Sequence, residues 1–538
     1  MITYTPASER RLALFTTPFD QKLDPENRWV KMADMVPWDA MAKVFYSRMS
    51  KDVGRSSVDL RVVLGALLVK HIEGLSDEDA ILYIQENIYA QYFVGLPSFQ
   101  TRPVFVPSLF VEIRKRLGKQ GALELNEAVL KQARQLQMIR HTKKPSRKAQ
   151  DQGKDQKEDQ TTKDTPGEGE TNKNDNPAQE SNRGTLKVDA TVAPQHIGYP
   201  TDTNLLQKAR LYSEALIDKL YQGSQLWGKK PRTYRRQAHK EYLAFSKKRR
   251  VSAKEIRRQR RKQLQYLRRN LGHINQMLDL LKQEQEPVNW DSQDWRRFWV
   301  LQELYRQQDI LHKDARKQIE DRIVNIAQPY VRPIKRGKAG KDTEFGAKLN
   351  VSETEGFLRI DQISFNNFNE GICLQQQVED YKRLYGYYPE LVLADRAYLN
   401  RENRNYLKSK DIRHSGAPLG RPPEMSAHQK LRRKKEQNKR SEIEGKFGQG
   451  KSKYGLDDIK TKLMDTSYAC VGLIMLALNI IKMGKEAIFG LLTRILPVVI
   501  WVDIAKKMRC LYSKFTGGIN LHHQAFLPSS YQPITLDF

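Results

Sequence analysis

Residues 345–395 read FGAKLNVSETEGFLRIDQISFNNFNEGICLQQQVEDYKRLYGYYPELVLAD, and this stretch decides the predicted fold class. Apolar residues at every second position of 345–351 are typical of a half-buried strand, and residues 357–365 predict another strand. Residues 371–385 predict a helix with one apolar face. The short apolar run at 391–394 is typical of a buried parallel strand. Strand, helix and parallel strand in this order predict a layered α/β domain with a right-handed crossover.

The sequence upstream of this stretch predicts that the α/β domain is interrupted. Apolar residues alternate with polar ones from Leu186 to Val192, which predicts the first strand. The chain from 205 to 329 is then polar and helical in pattern, before strands return. We therefore predict an α/β core made of residues 185–204 and 330–465, with a basic helical insertion at 205–329 after the first strand.

Three further segments complete the predicted multidomain organisation. Residues 1–140 predict a helical module, with a helix, a short turn at Gly74 and a second helix capped by Ser76. This order is compatible with a helix-turn-helix DNA-binding module, and the alternative is an ordinary small helical bundle. Residues 141–184 carry nine basic and nine acidic residues and no aromatic residue, which predicts a disordered linker. Residues 466–538 predict C-terminal helices and a tail.

The charge of the chain points to a polyanionic partner. The 538 residues carry a formal net charge of +30, and residues 229–269 contain 18 basic residues against two acids. Such a concentration predicts contact with the DNA backbone, although a solvated helical face is the alternative. The arginines that we expect to contact DNA here are Arg249, Arg250, Arg257, Arg258, Arg260 and Arg261.

The cysteines and the apolar runs restrict the cellular setting. Cys373, Cys470 and Cys510 are odd in number and far apart, so we predict neither a disulfide framework nor a thiolate zinc site. The N-terminus lacks the apolar core of a signal peptide. The apolar runs near the C-terminus predict buried helices rather than membrane spans. We therefore expect a cytoplasmic protein with no membrane partner.

Three acidic residues are candidates for one site. Asp189 lies in the first strand, Asp395 ends the buried strand LVLAD, and Glu444 lies in the segment RSEIEGKFGQGK. Helical spacing puts Arg440, Glu444 and Lys451 on one side of a helix, because these residues are four and seven positions apart. Glu442 is rotated by about 200° from Glu444 and is expected to face elsewhere. Each acid alone is weak support, since a single strand-end aspartate is more often structural.

Taken together, four segments resemble the DDE transposases of bacterial insertion sequences. They are VDATVAPQHIGYPTDTNLL, VRPIKRGKAGKDTEFGAKL, LVLADRAYLNRENRNYL and RSEIEGKFGQGKSKYG, and the resemblance runs from about Leu186 to Ala477. It extends to the N-terminal module, whose end RKRLGKQG is similar to that of the family. The most specific element is Arg440, Glu444 and Lys451 in the spacing R-x3-E-x6-K. Some branches of the family carry Tyr three residues before the arginine, where this chain has Gln437.

The resemblance implies a fold, a chemistry and partners. It implies a ribonuclease-H-like domain in which Asp189, Asp395 and Glu444 bind two divalent cations, Mg²⁺ or Mn²⁺, and catalyse phosphoryl transfer. It also implies that Arg440 and Lys451 contact phosphates near the cut end. The expected partners are double-stranded DNA, at the terminal inverted repeats and the target, and a second copy of the chain in a synaptic complex. The expected location is the nucleoid of a bacterial cytoplasm. The alternatives are a catalytically silent or domesticated DNA-binding protein of this fold, and a plain nuclease.

Overall fold

A mixed β-sheet lies at the centre of the chain. The computed structural model describes Pro6 and residues 22–48, 58–136, 181–314, 316–338, 341–417 and 426–487, so most of the predicted linker lies outside the described residues. The strands within these ranges are β1 (Thr185–Pro194), β2 (Pro333–Lys338), β3 (Lys341–Thr354), β4 (Phe357–Ser364), β5 (Leu391–Leu393) and β6 (Arg413–His414).

Strand β1 occupies the middle of the sheet. It pairs antiparallel with β3, with Asp189 opposite Val351, and parallel with β5, with Lys187 opposite Leu393. β3 also pairs antiparallel with β2 and β4, and β5 pairs parallel with β6. The predicted α/β class is therefore confirmed as a mixed sheet with helices around it.

Helices precede the sheet, interrupt it and follow it. The N-terminal helices are α1 (Arg28–Met35), α2 (Trp38–Tyr46), α3 (Leu60–Glu73), α4 (Asp77–Glu86), α5 (Ile88–Val94) and α6 (Ser108–Gln135). Between β1 and β2 lie α7 (Asp202–Gln222), α8 (Arg235–Ser246), α9 (Ala253–Gln283) and α10 (Ser292–Lys313). The later helices are α11 (Leu374–Tyr385), α12 (Arg401–Ser409), α13 (Ala427–Tyr454) and α14 (Met464–Ala487).

The helices between β1 and β2 have a hydrophobic core of their own. Leu206 and Ile217 of α7 are buried against Leu267 and Ile274 of α9 and against Leu301 of α10. Apolar residues at these spacings form one face of each helix, so the helices pack on one another and leave their charged faces to solvent. The long polar segment after β1 is thus helical, as the sequence predicts.

Helix α14 packs into the protein. It is long and apolar enough to cross a membrane by length and composition, but 72% of its most apolar window is buried. Asn479, which is fully buried, accepts a hydrogen bond from the N–H of Leu358 at 2.8 Å and donates to the Leu358 carbonyl at 2.7 Å and to Asn126 Oδ1 at 2.6 Å. These bonds join α14 to β4 and to α6, which fits the predicted buried helix.

Candidate active site

One cavity of about 480 Å³ opens beside β1 and α13. All five residues of the predicted catalytic and phosphate-binding set line this cavity, namely Asp189, Asp395, Glu444, Arg440 and Lys451. Further charged residues of the lining are Glu370, Lys335 and Lys348. The cavity therefore combines four carboxylates with four cationic side chains, which suits a polyanion held beside oxygen ligands.

The two aspartates lie on or just after neighbouring strands of the sheet. Lys187 of β1 pairs with Leu393 of β5, and the two strands run parallel. Asp189 and Asp395 each follow this last pair by two residues, and both line the cavity. The carboxyl edge of the parallel pair is where ligands bind in open α/β sheets.

Helix α13 brings the third acid to the sheet. Ile443, Phe447 and Gly450 are its buried residues, and they form the stripe that packs on the sheet. Glu444 follows Ile443 by about 100° around the helix, and Arg440 and Lys451 lie on the same flank. The predicted helical register of these three residues is therefore confirmed.

Glu442 faces away from the cavity, as its spacing relative to Glu444 predicts, and it has a partner of its own. Its Oε2 lies 2.5 Å from Nζ of Lys187 in β1. Glu442 and Glu444 lie about 100° on either side of Ile443, so a separation of about 200° places them on opposite flanks of the buried stripe. Both glutamates can reach the sheet, because α13 packs on the sheet through the buried Ile443 that lies between them.

The carboxylates already have partners in the protein. Oδ1 of Asp189 accepts the N–H of Ala190 at 2.8 Å, and Oδ1 of Asp395 accepts the N–H of Arg396 at 2.7 Å. Oε1 of Glu444 lies 3.2 Å from Nη2 of Arg440. Each contact orients one oxygen of its carboxylate, and the three carboxylates have three different partners.

Asp189 has the most perturbed carboxyl group of the cavity. Burial raises its pKa from 3.8 to about 6. The N–H of Ala190 and the charge of Arg440 act in the opposite direction, while Glu444 and Glu370 raise the pKa further. A carboxylate held in a poorly solvated site next to other acids is stabilised by added positive charge, so the position favours a cation or a proton.

The sequence predictions missed Glu370 and its partner Lys348. Glu370 begins a 3-10 helix (Glu370–Cys373), and its carboxylate lies 2.9 Å from Nζ of Lys348 on β3. A Cβ on Gly371 would lie 2.8 Å from the carbonyl of Ala397, so this segment is packed closely against the turn after Asp395. The signal in the sequence is weak, since an acid at a helix start is ordinarily a favourable dipole contact.

The donor set fits a hard divalent cation by chemistry, because the acids supply oxygen and no thiolate is present in the lining. As placed, no three His, Cys, Asp or Glu side chains of the described residues come close enough to hold one ion. Glu444 is paired with Arg440 at 3.2 Å.

The arginines predicted to contact DNA fall into two groups. Arg249, Arg250, Arg257, Arg258 and Arg261 are exposed on the α8–α9 connection and on α9. Arg260 instead lies 2.7 Å from Asp202 of α7, and its side chain is only 18% exposed. The charge of Arg260 is paired within the helical insertion. The side chains of the other five arginines are exposed to solvent.

Comparison with known proteins agrees with the resemblance read from the sequence. Residues 17–116 match a family described as a transposase domain (DUF772), and residues 392–483 match the transposase DDE domain family. An uncharacterized protein, ORF8 in the nfe locus of Rhizobium meliloti, is 27% identical over 196 residues, covering 36% of this chain and 75% of that protein. No solved structure matches the chain. The second family match contains Asp395 and Glu444, and Asp189 lies outside it.

Proposed function

Because this chain carries a transposase domain and a transposase DDE domain, we propose that it cleaves DNA strands at the ends of an insertion sequence and joins them to target DNA. The observation that supports this most is the shared cavity of Asp189, Asp395 and Glu444 with Arg440 and Lys451. These residues come from two strands and a helix that are far apart in sequence. Because these residues line one cavity, carboxylates that can bind cations lie beside basic side chains that can bind phosphates.

A ribonuclease-H-like core is the fold that suits this proposal. The support is the strand order, with β4, β3 and β1 antiparallel on one side and β5 and β6 parallel to β1 on the other. Helix α11 connects β4 to β5, and α13 follows β6 and lies on β1. In this arrangement the acids from β1, from the end of β5 and from α13 line one cavity.

We propose that Asp189, Asp395 and Glu444 hold two Mg²⁺ or Mn²⁺ ions. When bound, such ions lower the pKa of an attacking hydroxyl and stabilise the leaving oxygen of an in-line phosphoryl displacement. The protein's part is to position the substrate: Arg440 and Lys451 lie on the Glu444 flank, where their charges attract the phosphate next to the cut. Lys335, which is exposed, adds a third cation to the same wall. Both steps are displacements at phosphorus, so no covalent bond to the protein is required.

The proposed DNA path follows two basic surfaces. One is the exposed arginine group of α9 and the segment before it. The other is the first half of α13, from Ala427 to Lys439, where no residue is buried. This half carries six lysines and arginines and one acid, Glu436, and it continues without a break into Arg440 and Glu444. A rigid basic helix that runs into the cavity is suited to hold the backbone of the DNA beside the cut.

The N-terminal module is the proposed reader of element ends. Its α4 begins with Asp77, Glu78 and Asp79, and Arg114 of α6 binds Asp77 through two hydrogen bonds of 2.9 and 2.6 Å. An acidic first turn disfavours phosphate contact, so we place DNA contact in this module on the exposed basic residues of α6, Lys115 and Arg116. Two ends must be held together, which calls for a dimer or larger synaptic complex, working in a bacterial cytoplasm.

A catalytically silent DNA-binding protein is the alternative function. The three acids and the R-x3-E-x6-K spacing are all present, which favours catalysis. A plain nuclease would need neither an N-terminal reader nor the basic insertion. Short inverted repeats on both sides of the gene would favour transposition over both alternatives.

The test separates binding from chemistry. Asp189→Asn, Asp395→Asn and Glu444→Gln should each abolish strand cleavage in Mg²⁺ and leave binding to element ends nearly unchanged in Ca²⁺ mobility shifts. Glu303→Gln, on α10 and outside both the cavity and the two basic surfaces, should cleave as the wild type does. Full cleavage by any of the three variants would remove that residue from the proposed triad.

A further inference from the structure

A buried lysine joins the catalytic helix to the sheet. Lys187 of β1 is 5% exposed, and its Nζ lies 2.6 Å from Oε2 of Glu353 on β3 and 2.5 Å from Oε2 of Glu442 on α13. Lys187 and Glu353 are direct partners in the β1–β3 register. Glu353 is itself 1% exposed, and it also accepts a hydrogen bond from the N–H of Gly356. Lys187 is therefore held by Glu353 within the sheet, and its ammonium group contacts one flank of α13.

The lysine and Asp189 share one face of β1. Side chains two residues apart on a strand point to the same side, so Lys187 and Asp189 both project toward α13. On the helix, Glu442 and Glu444 flank the buried Ile443 on opposite sides. The Lys187–Glu442 pair thus holds one flank, and the other flank carries Glu444 into the cavity. Fixing the first flank determines how far the second is rotated toward Asp189.

A small rotation of α13 would matter to the site. Side-chain tips lie about 5–6 Å from a helix axis, so a turn of about 20° would displace the Glu444 carboxylate by about 2 Å. Catalytic groups need to be held within about 0.5 Å of their productive positions. Ile443 and Phe447 are apolar, and apolar contacts do not set a rotation as sharply as a directed ion pair does.

We propose that Lys187 and Glu442 are positioning residues, which set the rotation of α13 and thereby the approach of Glu444 to Asp189. This inference rests on the proposed function, because it takes Glu444 to bind metal ions together with Asp189. It gives Glu442 a role that its spacing in the sequence conceals. It also explains why a lysine occupies a buried strand position two residues from the predicted catalytic aspartate.

The test uses the full chain and two readouts, Mn²⁺ binding followed by the EPR signal of free Mn²⁺, and the rate of end cleavage. Glu442→Gln keeps the size of the side chain and removes its charge. Glu303→Gln is the matched control, because it makes the same change at an ion pair with Arg306 of 2.6 Å on α10, outside the cavity and outside both basic surfaces. Loss of a partner that orients a metal ligand lowers metal affinity or activity by about 10- to 100-fold. Glu442→Gln should show a loss in this range, and Glu303→Gln should show none.

A second background identifies the partner. Lys187→Met together with Glu353→Gln removes the buried charges as a pair, so neither is left alone in the sheet. If Glu442 acts through Lys187, adding Glu442→Gln to this background should cause no further loss. Glu442→Lys, which opposes Lys187 with a like charge, should exceed the loss of Glu442→Gln and serves in place of the background if that variant does not fold.

The outcomes distinguish this inference from the proposed function. Suppose that the wild type binds Mn²⁺, that Asp189→Asn weakens this binding, and that Glu442→Gln does not. This result would overturn the positioning role and leave the proposed function standing. Equal losses from Glu442→Gln in both backgrounds would also overturn it, since the effect would not pass through Lys187. If the wild type bound no Mn²⁺ and cleaved no DNA, the proposed function itself would fail.

Discussion

The guanidinium of Arg440 lies 3.2 Å from the carboxylate of Glu444, one turn away along α13. Arg440 is 14% exposed and Glu444 is 50% exposed, so the arginine is the better fixed partner of this pair. The pair orients the Glu444 carboxylate toward the arginine. Arg440 therefore has two proposed tasks, which are to hold the acid before DNA binds and to hold a phosphate when DNA is present.

The two tasks of Arg440 can be separated by substitution. Arg440→Ala should reduce end cleavage strongly, because the phosphate no longer has its guanidinium partner, while Mn²⁺ binding should remain or tighten since Glu444 is released. Arg440→Lys should restore only part of the cleavage if the phosphate contact is bidentate, because lysine cannot reproduce the planar guanidinium. Cleavage rates and Mn²⁺ titrations of the two variants give the answer. Full activity of Arg440→Lys would show that only the charge matters.

Asp189 should make the stability of the protein depend on pH. Its pKa in the folded chain, about 6, exceeds the ordinary value of 3.8, so ionisation costs more in the folded than in the unfolded state. The stability contributed by the protonated form is complete below about pH 3.8 and is lost as pH rises through about 6. At pH 7.5 without divalent cations, Asp189→Asn should therefore raise the free energy of unfolding by up to about 3 kcal/mol.

The same variant carries its own control. At pH 4.5 the stability gain of Asp189→Asn, measured by urea unfolding, should fall to about a third of that at pH 7.5. Mg²⁺ at pH 7.5 should stabilise the wild type and have little effect on Asp189→Asn, because the variant lacks the carboxylate. A gain of equal size at both pH values would show that burial does not hold the Asp189 pKa high.

The sequence predicts the parts of the site that local periodicity determines. Alternation places Asp189 on a strand, the run LVLAD places Asp395 at a strand end, and the spacing of Arg440, Glu444 and Lys451 places them on one helix side. Each of these patterns spans no more than about 12 residues, and each depends on the 2.0 or 3.6 residue period of one element. The structure has the corresponding elements at β1, β5 and α13.

The parts that sequence could not predict depend on how elements pack. Glu442 reaches Lys187 because Ile443 faces the sheet, and helical spacing alone does not say which residue faces down. Glu370 enters the cavity only because β3 supplies Lys348 and the turn after Asp395 packs on Gly371. Arg260 differs from its neighbours through Asp202, which is 58 positions away on another helix. Long-range packing, which periodicity does not encode, decides each of these cases.

Asn479 should be important for the stability of the core. Asn479→Ala would leave the Leu358 N–H and carbonyl and the Asn126 side chain with one partner fewer each, in a site that excludes water. Each unsatisfied buried polar group costs about 1–3 kcal/mol, so the variant should lose several kcal/mol of unfolding free energy. Asn438→Ala, an exposed asparagine on α13, is the control and should change stability by less than about 0.5 kcal/mol. An unchanged urea midpoint for Asn479→Ala would contradict the buried position of α14.

The two basic surfaces should contribute separately to DNA binding. Replacing Arg257, Arg258 and Arg261 by Gln should reduce the log–log salt slope of binding by up to about 2.7, at about 0.9 for each phosphate that is no longer neutralised. Replacing Lys434, Lys435 and Lys439 of α13 by Gln should reduce the slope by a similar amount and should also slow cleavage, because these lysines lie on the helix that carries Arg440.

Arg260→Gln is the matched control for both triple variants: the charge of Arg260 is directed to Asp202, so the substitution should lower stability and leave the slope unchanged. Filter binding of element-end DNA across a range of salt concentrations measures all three variants. An unchanged slope for either triple variant would identify that surface as a solvated face, and loss of sequence preference would move the reader from the N-terminal module to that surface.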